Sequence, residues 1–298
     1  MQDIERIKDR LENIRSVEPI VNSLRTVAAG GWQQALRRVR ASQEYVDNLS
    51  AVLAALFRHL GQRVGTSQLV ATRTLRPGRA LMVVMASERG LCGAFNDVVL
   101  EGAQTLISQQ QIQSEQVSIM TLGARAEAFF RRQNRPLYAA ESLPVTRVAS
   151  LELVRDLGAT LLDAFYANEF DAIYAIYSPY QSGMVAPPVA QRWIPVDPSI
   201  LPGRSDEWLE PVIETKPKVL FEHALEEWIL VRLYQFVMES AASEHAARFR
   251  AMDNASTNLT RMIEELTQTY HTARQHAITM EMLDLVAGSG ILRRPGES

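Results

Sequence analysis

The chain has 298 residues, 47% of them apolar, and carries a formal charge of −3 at pH 7 with a pI near 6.0. It exceeds one average domain and can bury a real core, and its near-neutral balance excludes a global pull toward nucleic acid or an anionic membrane. A single cysteine, Cys92, permits no internal disulfide and fits cytoplasmic conditions. The stretch from Met1 to Arg6 is too charged for a signal peptide, and no apolar run reaches the ~18–20 residues of a spanning helix, so membrane association, if it exists, must come through other chains.

The first element is a long helix. Ile4, Ile7, Leu11, Ile14, Val17, Val21, Leu24 and Ala28 recur at threes and fours, a spacing that only a helix gathers on one face. The two successive threes from Leu11 to Val17 form a stammer. Pro19 beside it, and Gly30 with Gly31 beyond, predict places where the helix bends or loosens. Ala35, Val39, Val46, Leu49, Leu53, Leu56 and Leu60 continue the stripe, which gives a helix of roughly 55 residues and about 80 Å.

Between about Leu75 and Pro202 the period changes. Ala80 to Ala86, Val117 to Leu122 and Ala172 to Tyr177 read as buried strands, with a last strand around Gln191 to Pro195. Helical stretches lie between them at Phe95 to Gln110, Ala124 to Arg132 and Leu151 to Ala167, so the alternation predicts an α/β domain with a mostly parallel, Rossmann-like sheet. The loop from Ser87 to Asn96 holds its glycines as GxxG, without a dinucleotide fingerprint or a Walker lysine. It reads as a tight turn packing helix on strand ahead of a nucleotide site, and Cys92 reads as a buried structural thiol.

From near Glu222 to about Val286 the helical spacing returns through Met252, Ala255, Leu259, Met262, Leu266, Tyr270, Ala273, Ala277 and Met280. Two helices beyond 50 residues, with no compact partner in their own segments, are expected to bury their stripes against each other as an antiparallel coiled coil. Residues 1–74 and 205–298 are therefore assigned to a coiled-coil shaft and 75–204 to a globular α/β domain. His223, His245, His271 and His276 read as solvated or interface residues, and no metal, cofactor or catalytic group emerges.

Two motifs carry a family resemblance. The run from Glu239 to Met252 (ESAASEHAARFRAM), followed by Asn254, Ala255 and Tyr270 to Thr279 (YHTARQHAIT), resembles the C-terminal signature of ATP synthase gamma subunits, and Glu88 to Asn96 (ERGLCGAFN) resembles that family's glycine loop. Val27 to Ala29 and the preceding heptads resemble its N-terminal helix. The likeness spans nearly the whole chain in order. It implies a non-catalytic, cofactor-free rotor shaft, with the paired helices inside a ring of three α and three β subunits. The α/β domain would stand against the epsilon subunit and the proton-driven c ring, on the cytoplasmic face of the inner membrane.

The same resemblance implies the site residues. Arg37, Arg38, Arg40, Arg248, Arg274, Gln275 and Thr279 match positions that face β-subunit loops. Leu285, Val286, Ala287 and Gly288 match the apolar tip that turns in a bearing, and Trp208, Glu210 and Pro211 match the c-ring contact. There are departures. The first helix is about three residues short after Val17, contains Pro19, and lacks the lysine-isoleucine-threonine run and paired methionines before Val27. Gly30, Gly31 and Trp32 replace small or basic helix formers, and Asp253 stands where lysine is common. These leave two further readings: a diverged paralogue acting as a non-rotary coiled-coil scaffold, and a nucleotide-binding enzyme built on the middle domain.

Overall fold

A computed structural model describes residues 2–60, 67–71, 78–109, 116–144, 148–182, 184–197, 199, 213 and 215–291. In chain order the elements are α1 (Gln2–Leu60), β1 (Ala80–Met85), α2 (Phe95–Gln109), β2 (Val117–Leu122), α3 (Ala124–Arg132), β3 (Ala139–Glu141), α4 (Leu151–Tyr166), β4 (Ala172–Tyr177), β5 (Tyr180–Gln181), β6 (Met184–Val185), β7 (Val189–Ile194) and α5 (Pro217–Ile291). The expected fold class holds: two long terminal helices enclose, in sequence, a mixed and mostly parallel sheet. By internal contacts, Val27–Arg250 form one compact unit and Met1–Thr26 with Ala251–Ser298 the other.

The larger unit is built on a five-stranded sheet of order β3-β2-β1-β4-β7, in which only β7 runs antiparallel to its neighbour. Because successive side chains of a strand point to opposite faces, β1 divides its six buried residues between two cores. Ala80, Met82 and Val84 meet Leu100, Ala103 and Ile107 of α2 and Phe130 of α3. Leu81, Val83 and Met85 join the core built from α4, α5 and α1, through Leu161, Ile229, Phe236 and Leu53. Burial of both strand faces is why β1 reads as a continuous apolar run rather than an alternating one.

Within this unit α1 and α5 pair in opposite directions. The Trp228 indole donates to Ser50 Oγ at 2.7 Å, and the Gln235 amide bonds Gln43, seven residues down α1 for seven up α5. The pair is fastened to the sheet at the Trp193 indole, which donates to the Ile229 carbonyl at 2.7 Å. α4 also lies close on α5. A Cβ at Gly158 would stand 2.5 Å from a Leu230 methyl, and the Arg155–Glu227 ion pair (2.6 Å) flanks the contact.

The smaller unit repeats the antiparallel arrangement. Arg25 pairs with Asp253 at 3.0 Å and Ser256 donates to Asn22 at 3.0 Å, three steps down α1 for three up α5, with Leu11 buried further along. Both partners of the ion pair are more than a third exposed, so water screens it. A double-mutant cycle of Arg25→Ala and Asp253→Ala, read by thermal unfolding, is expected to give a coupling of only about 0.2–1 kcal/mol.

α1 is helical without a break through Pro19 and through Gly30 and Gly31, so the expected loosening is not observed. Pro19 and Arg15 both lie on the exposed face, where the carbonyl that loses its donor is open to water. Gly31 has a different reason. A Cβ there would lie 2.7 Å from His245 Cε1, so α5's imidazole occupies the space a side chain would need.

Candidate functional site

The loop after β1 is built as a rigid platform. Ser87 Oγ lies 2.7 Å from the Arg89 carbonyl and 2.9 Å from Asn96 Oδ1, and the Asn96 amide donates to Cys92 Sγ at 3.1 Å. Glu88 Oε2 accepts from the backbone N–H groups of Ala124 and Leu143 at 3.1 and 3.0 Å. It thereby caps α3, whose own cap residue Gly123 has no side chain to offer, and its charge suits the positive helix end. Cys92 is buried, and that burial pushes its thiol pKa up, which leaves it a protonated structural group rather than a nucleophile.

α5 occupies the place where a doubly wound sheet would take a ligand. In such sheets ligands lie outside the carboxyl ends of the strands where strand order reverses. Here that position is between β1 and β4. Beyond β1, Ala247 of α5 packs with Cys92, Phe95 and Val99, and Arg248 donates to the Arg89 and Gly90 carbonyls at 2.9 and 3.3 Å. Beyond β4, Ser243 of α5 meets Ser178 Oγ at 3.0 Å, and that hydroxyl also donates to Ala186 O. The protein's own helix thus occupies the position at the strand-order reversal where such a sheet would take a ligand.

The residues assigned to partner contacts divide into two groups. Arg37, Arg40, Arg274, Gln275 and Thr279 stand on exposed helix faces, with the Thr279 hydroxyl donating to the Gln275 carbonyl at 2.9 Å. Leu285 and Val286 are 70% and 65% exposed, an unusual outward display of large apolar side chains. Ala287 and Gly288 continue α5, and their side chains lie outside the described residues, as do Trp208, Glu210 and Pro211 entirely. Arg38 and Arg248 instead turn inward. Arg38 donates to the Ala149 carbonyl at 2.9 Å and the Tyr234 hydroxyl at 3.1 Å, while Arg248 is 9% exposed and paired with Glu244. The Glu244–Arg248 spacing of four was the sequence signal available for the latter.

Two polar features escaped the sequence reading. Arg232 stacks over the Trp228 and Phe236 rings at 5.6 and 4.9 Å, with Glu239 and Tyr177 nearby. Desolvation lowers the Arg232 pKa and raises that of Glu239. His245, expected to be solvated or at an interface, is 5% exposed, and its Nδ1 has no partner.

Burial holds the His245 imidazole below its ordinary value of 6.5, with Glu244 opposing and Arg248 reinforcing the shift. The folded chain therefore resists protonation that the unfolded chain accepts. This stability is fully present above pH 6.5 and is lost as pH falls through the depressed folded value. Thermal melting at pH 7.5 and 5.5 should show a drop in midpoint for the native chain, and a smaller drop for His245→Gln.

The whole chain is similar to known proteins. The family model described as ATP synthase matches residues 3–292. The ATP synthase gamma chain of Geobacter sp. (strain M21) is 32% identical over 290 residues, covering 97% of this chain and 98% of that one. The ATP synthase gamma chain of Synechococcus sp. (strain JA-3-3Ab) is 29% identical over 317 residues, covering 98% and 100%. Among solved structures, a chain of the Euglena gracilis mitochondrial ATP synthase OSCP/F1/c-ring assembly superposes with a TM-score of 0.65 at 16% identity, covering 100% of this chain and 98% of that chain. A chain of the Tetrahymena thermophila mitochondrial ATP synthase central stalk and c-ring gives 0.58 at 18% identity, covering 80% and 99%. At those identities the structural likeness supports the fold.

Proposed function

We infer the working of this chain from one premise: it belongs to the ATP synthase gamma-chain family, and is the non-catalytic central-stalk subunit of a rotary ATP synthase. It couples proton transport to ATP synthesis by turning. The α/β domain takes up rotation from a c ring, with an epsilon subunit beside it, and the paired helices present changing faces to a ring of three α and three β subunits. A partner shifts a conformational equilibrium only by interacting unequally with its states, so an asymmetric shaft can bias each β subunit in turn among nucleotide affinities.

The observation that carries this reading is the fastening of an antiparallel helix pair directly onto a sheet by buried directional bonds. Ser50 to Trp228 joins the two helices, and Trp193 to Ile229 joins them to the sheet. Such a body transmits twist instead of absorbing it. The exposed Arg37, Arg40, Arg274, Gln275 and Thr279 supply contacts to the β subunits. Leu285 and Val286, with Ala287 and Gly288 after them, supply an apolar end whose non-directional contacts allow slip in a bearing. Trp208, Glu210 and Pro211 contribute to the c-ring contact. The functional division is then a shaft of residues 1–74 and 205–298 and a foot of 75–204. No helix among the described residues is long and apolar enough to cross a membrane. In this reading the subunit is peripheral and is held at the cytoplasmic face by its partners.

The test is reconstitution. Co-expression with α and β subunits of a related synthase should give an ATPase containing one copy of this chain, and a gamma-deficient host carrying it should regain growth on a respiratory substrate. Failure to co-assemble would reject the reading. Assembly without restored growth would favour a non-rotary scaffold.

A further inference from the structure

We infer that Arg248 is a positioning residue that keys α5 to the glycine loop, so that its guanidinium, beside the Trp193–Ile229 and Ser178–Ser243 bonds, bears part of the twist passing between the helix pair and the α/β domain; the inference rests on the rotor reading above. The resemblance assigned Arg248 to contacts with β subunits, which requires an accessible guanidinium. Arg248 is 9% exposed, and its donors reach three acceptors inside the same compact unit: Glu244 on α5 and the Arg89 and Gly90 carbonyls.

The chemistry of the contact suits load rather than recognition. α5 meets the loop through two kinds of interaction. Ala247 packs on Cys92, Phe95 and Val99, an apolar contact that is non-directional and tolerates a small rotation of the helix about its axis. The guanidinium bonds are directional and weaken steeply as their angles open, so the same rotation strains them at once. Arginine's planar fork can hold the helix carboxylate with one nitrogen and the loop carbonyls with another, which a lysine ammonium does less rigidly.

A key needs a keyway that does not move. The acceptor loop is braced from behind by Ser87 against Arg89 and Asn96, and by Glu88 against the start of α3 and the Leu143 N–H. Those braces tie the loop to β1, α2 and α3. Twist reaching the loop is thereby shared by the sheet, and among the contacts of α5 with the loop described above the directional ones belong to the Arg248 side chain.

The experiment uses the assembled complex with α and β subunits. A bead is attached at Thr105→Cys on the exposed face of α2, and angular fluctuation during catalytic pauses reports the stiffness between the foot and the helix pair. Amide hydrogen exchange over residues 88–96 is followed in the same complexes. Arg248→Ala should widen the angular distribution, and should speed loop exchange by about ten-fold or more, the change implied by losing even one of its charge-assisted hydrogen bonds to the loop. Arg248→Lys should restore part of both. Glu244→Gln keeps the carbonyl arms and should widen the distribution less than Arg248→Ala. Native-like fluctuation and exchange in Arg248→Ala would overturn the inference, as would an Arg248→Lys complex that recovers neither readout. A native complex that assembles but never rotates would count against the rotor reading instead, while the exchange data would still report on the clasp.

Discussion

Replacing Gly123 by alanine is expected to destabilise the α/β domain by on the order of 3 kcal/mol or more, which is a fall of roughly 6–12 °C in melting temperature. Gly123 sits between β2 and α3 with φ at 95° and ψ at 137°, a combination that L side chains rarely adopt. Space is a second obstacle. A Cβ would lie 2.4 Å from the Ala86 carbonyl oxygen, which is backbone and is itself fixed at the end of β1 because the Ala86 N–H bonds Leu122 O at 2.9 Å. The strand end cannot yield without breaking the sheet. Displacing Gly123 would also pull the start of α3 from the Glu88 carboxylate, so the same substitution loosens the glycine loop. Circular dichroism melts of Gly123→Ala against the native chain check this, and a midpoint within 2 °C of native, a change worth only about 1 kcal/mol, would contradict the geometry described for that turn.

The α/β domain was legible wherever burial is two-sided and long. β1 and β4 are apolar runs with Gly, Pro or Ser near their ends, and the predicted strands Val117 to Leu122 and Ala172 to Tyr177 coincide with those observed. β3, three residues on the sheet edge with the sequence AAE, offers no apolar run, and the two-residue strands β5 and β6 are too short to establish a period. α5 begins at Pro217, several residues before the expected start, because proline suits a first helical turn whose N–H has no acceptor. Side-chain roles were less legible for a specific reason. Arginines and histidines on a helix ordinarily mark its wet face, so Arg38 and His245 gave no sign of being turned inward, and Arg248 gave only its spacing of four from Glu244. What decides their direction is the neighbouring helix, which no single stripe describes.

The departures expected of the helix pair from the resemblance become intelligible where α1 meets α5. Asp253, at a position where the resemblance leads one to expect lysine, faces Arg25 at 3.0 Å. Trp32 packs on Phe249 at 5.9 Å and Tyr180 at 6.2 Å between ring centroids. Gly31 admits the His245 ring. These three residues each meet a complementary one, which argues for a helix pair refitted as a unit rather than an α1 decaying after loss of function.

The Gly31–His245 pair makes such refitting testable through a change of sign. In an ordinary helix Gly→Ala stabilises by about 1 kcal/mol. Here Gly31→Ala should destabilise by about 1–3 kcal/mol, because its Cβ would lie within 2.9 Å of three imidazole atoms and the buried ring has only a cavity of about 20 Å³ beside it to enter. Removing the ring by His245→Ala is expected to cost about 1–3 kcal/mol by itself through the void it leaves. In that background, however, the added methyl meets no imidazole, and Gly31→Ala should become stabilising by up to about 1 kcal/mol. Thermal or denaturant unfolding of the four variants measures the coupling directly. Additive effects would mean that the two residues were not fitted to each other, and the case for a refitted shaft would lose its strongest support.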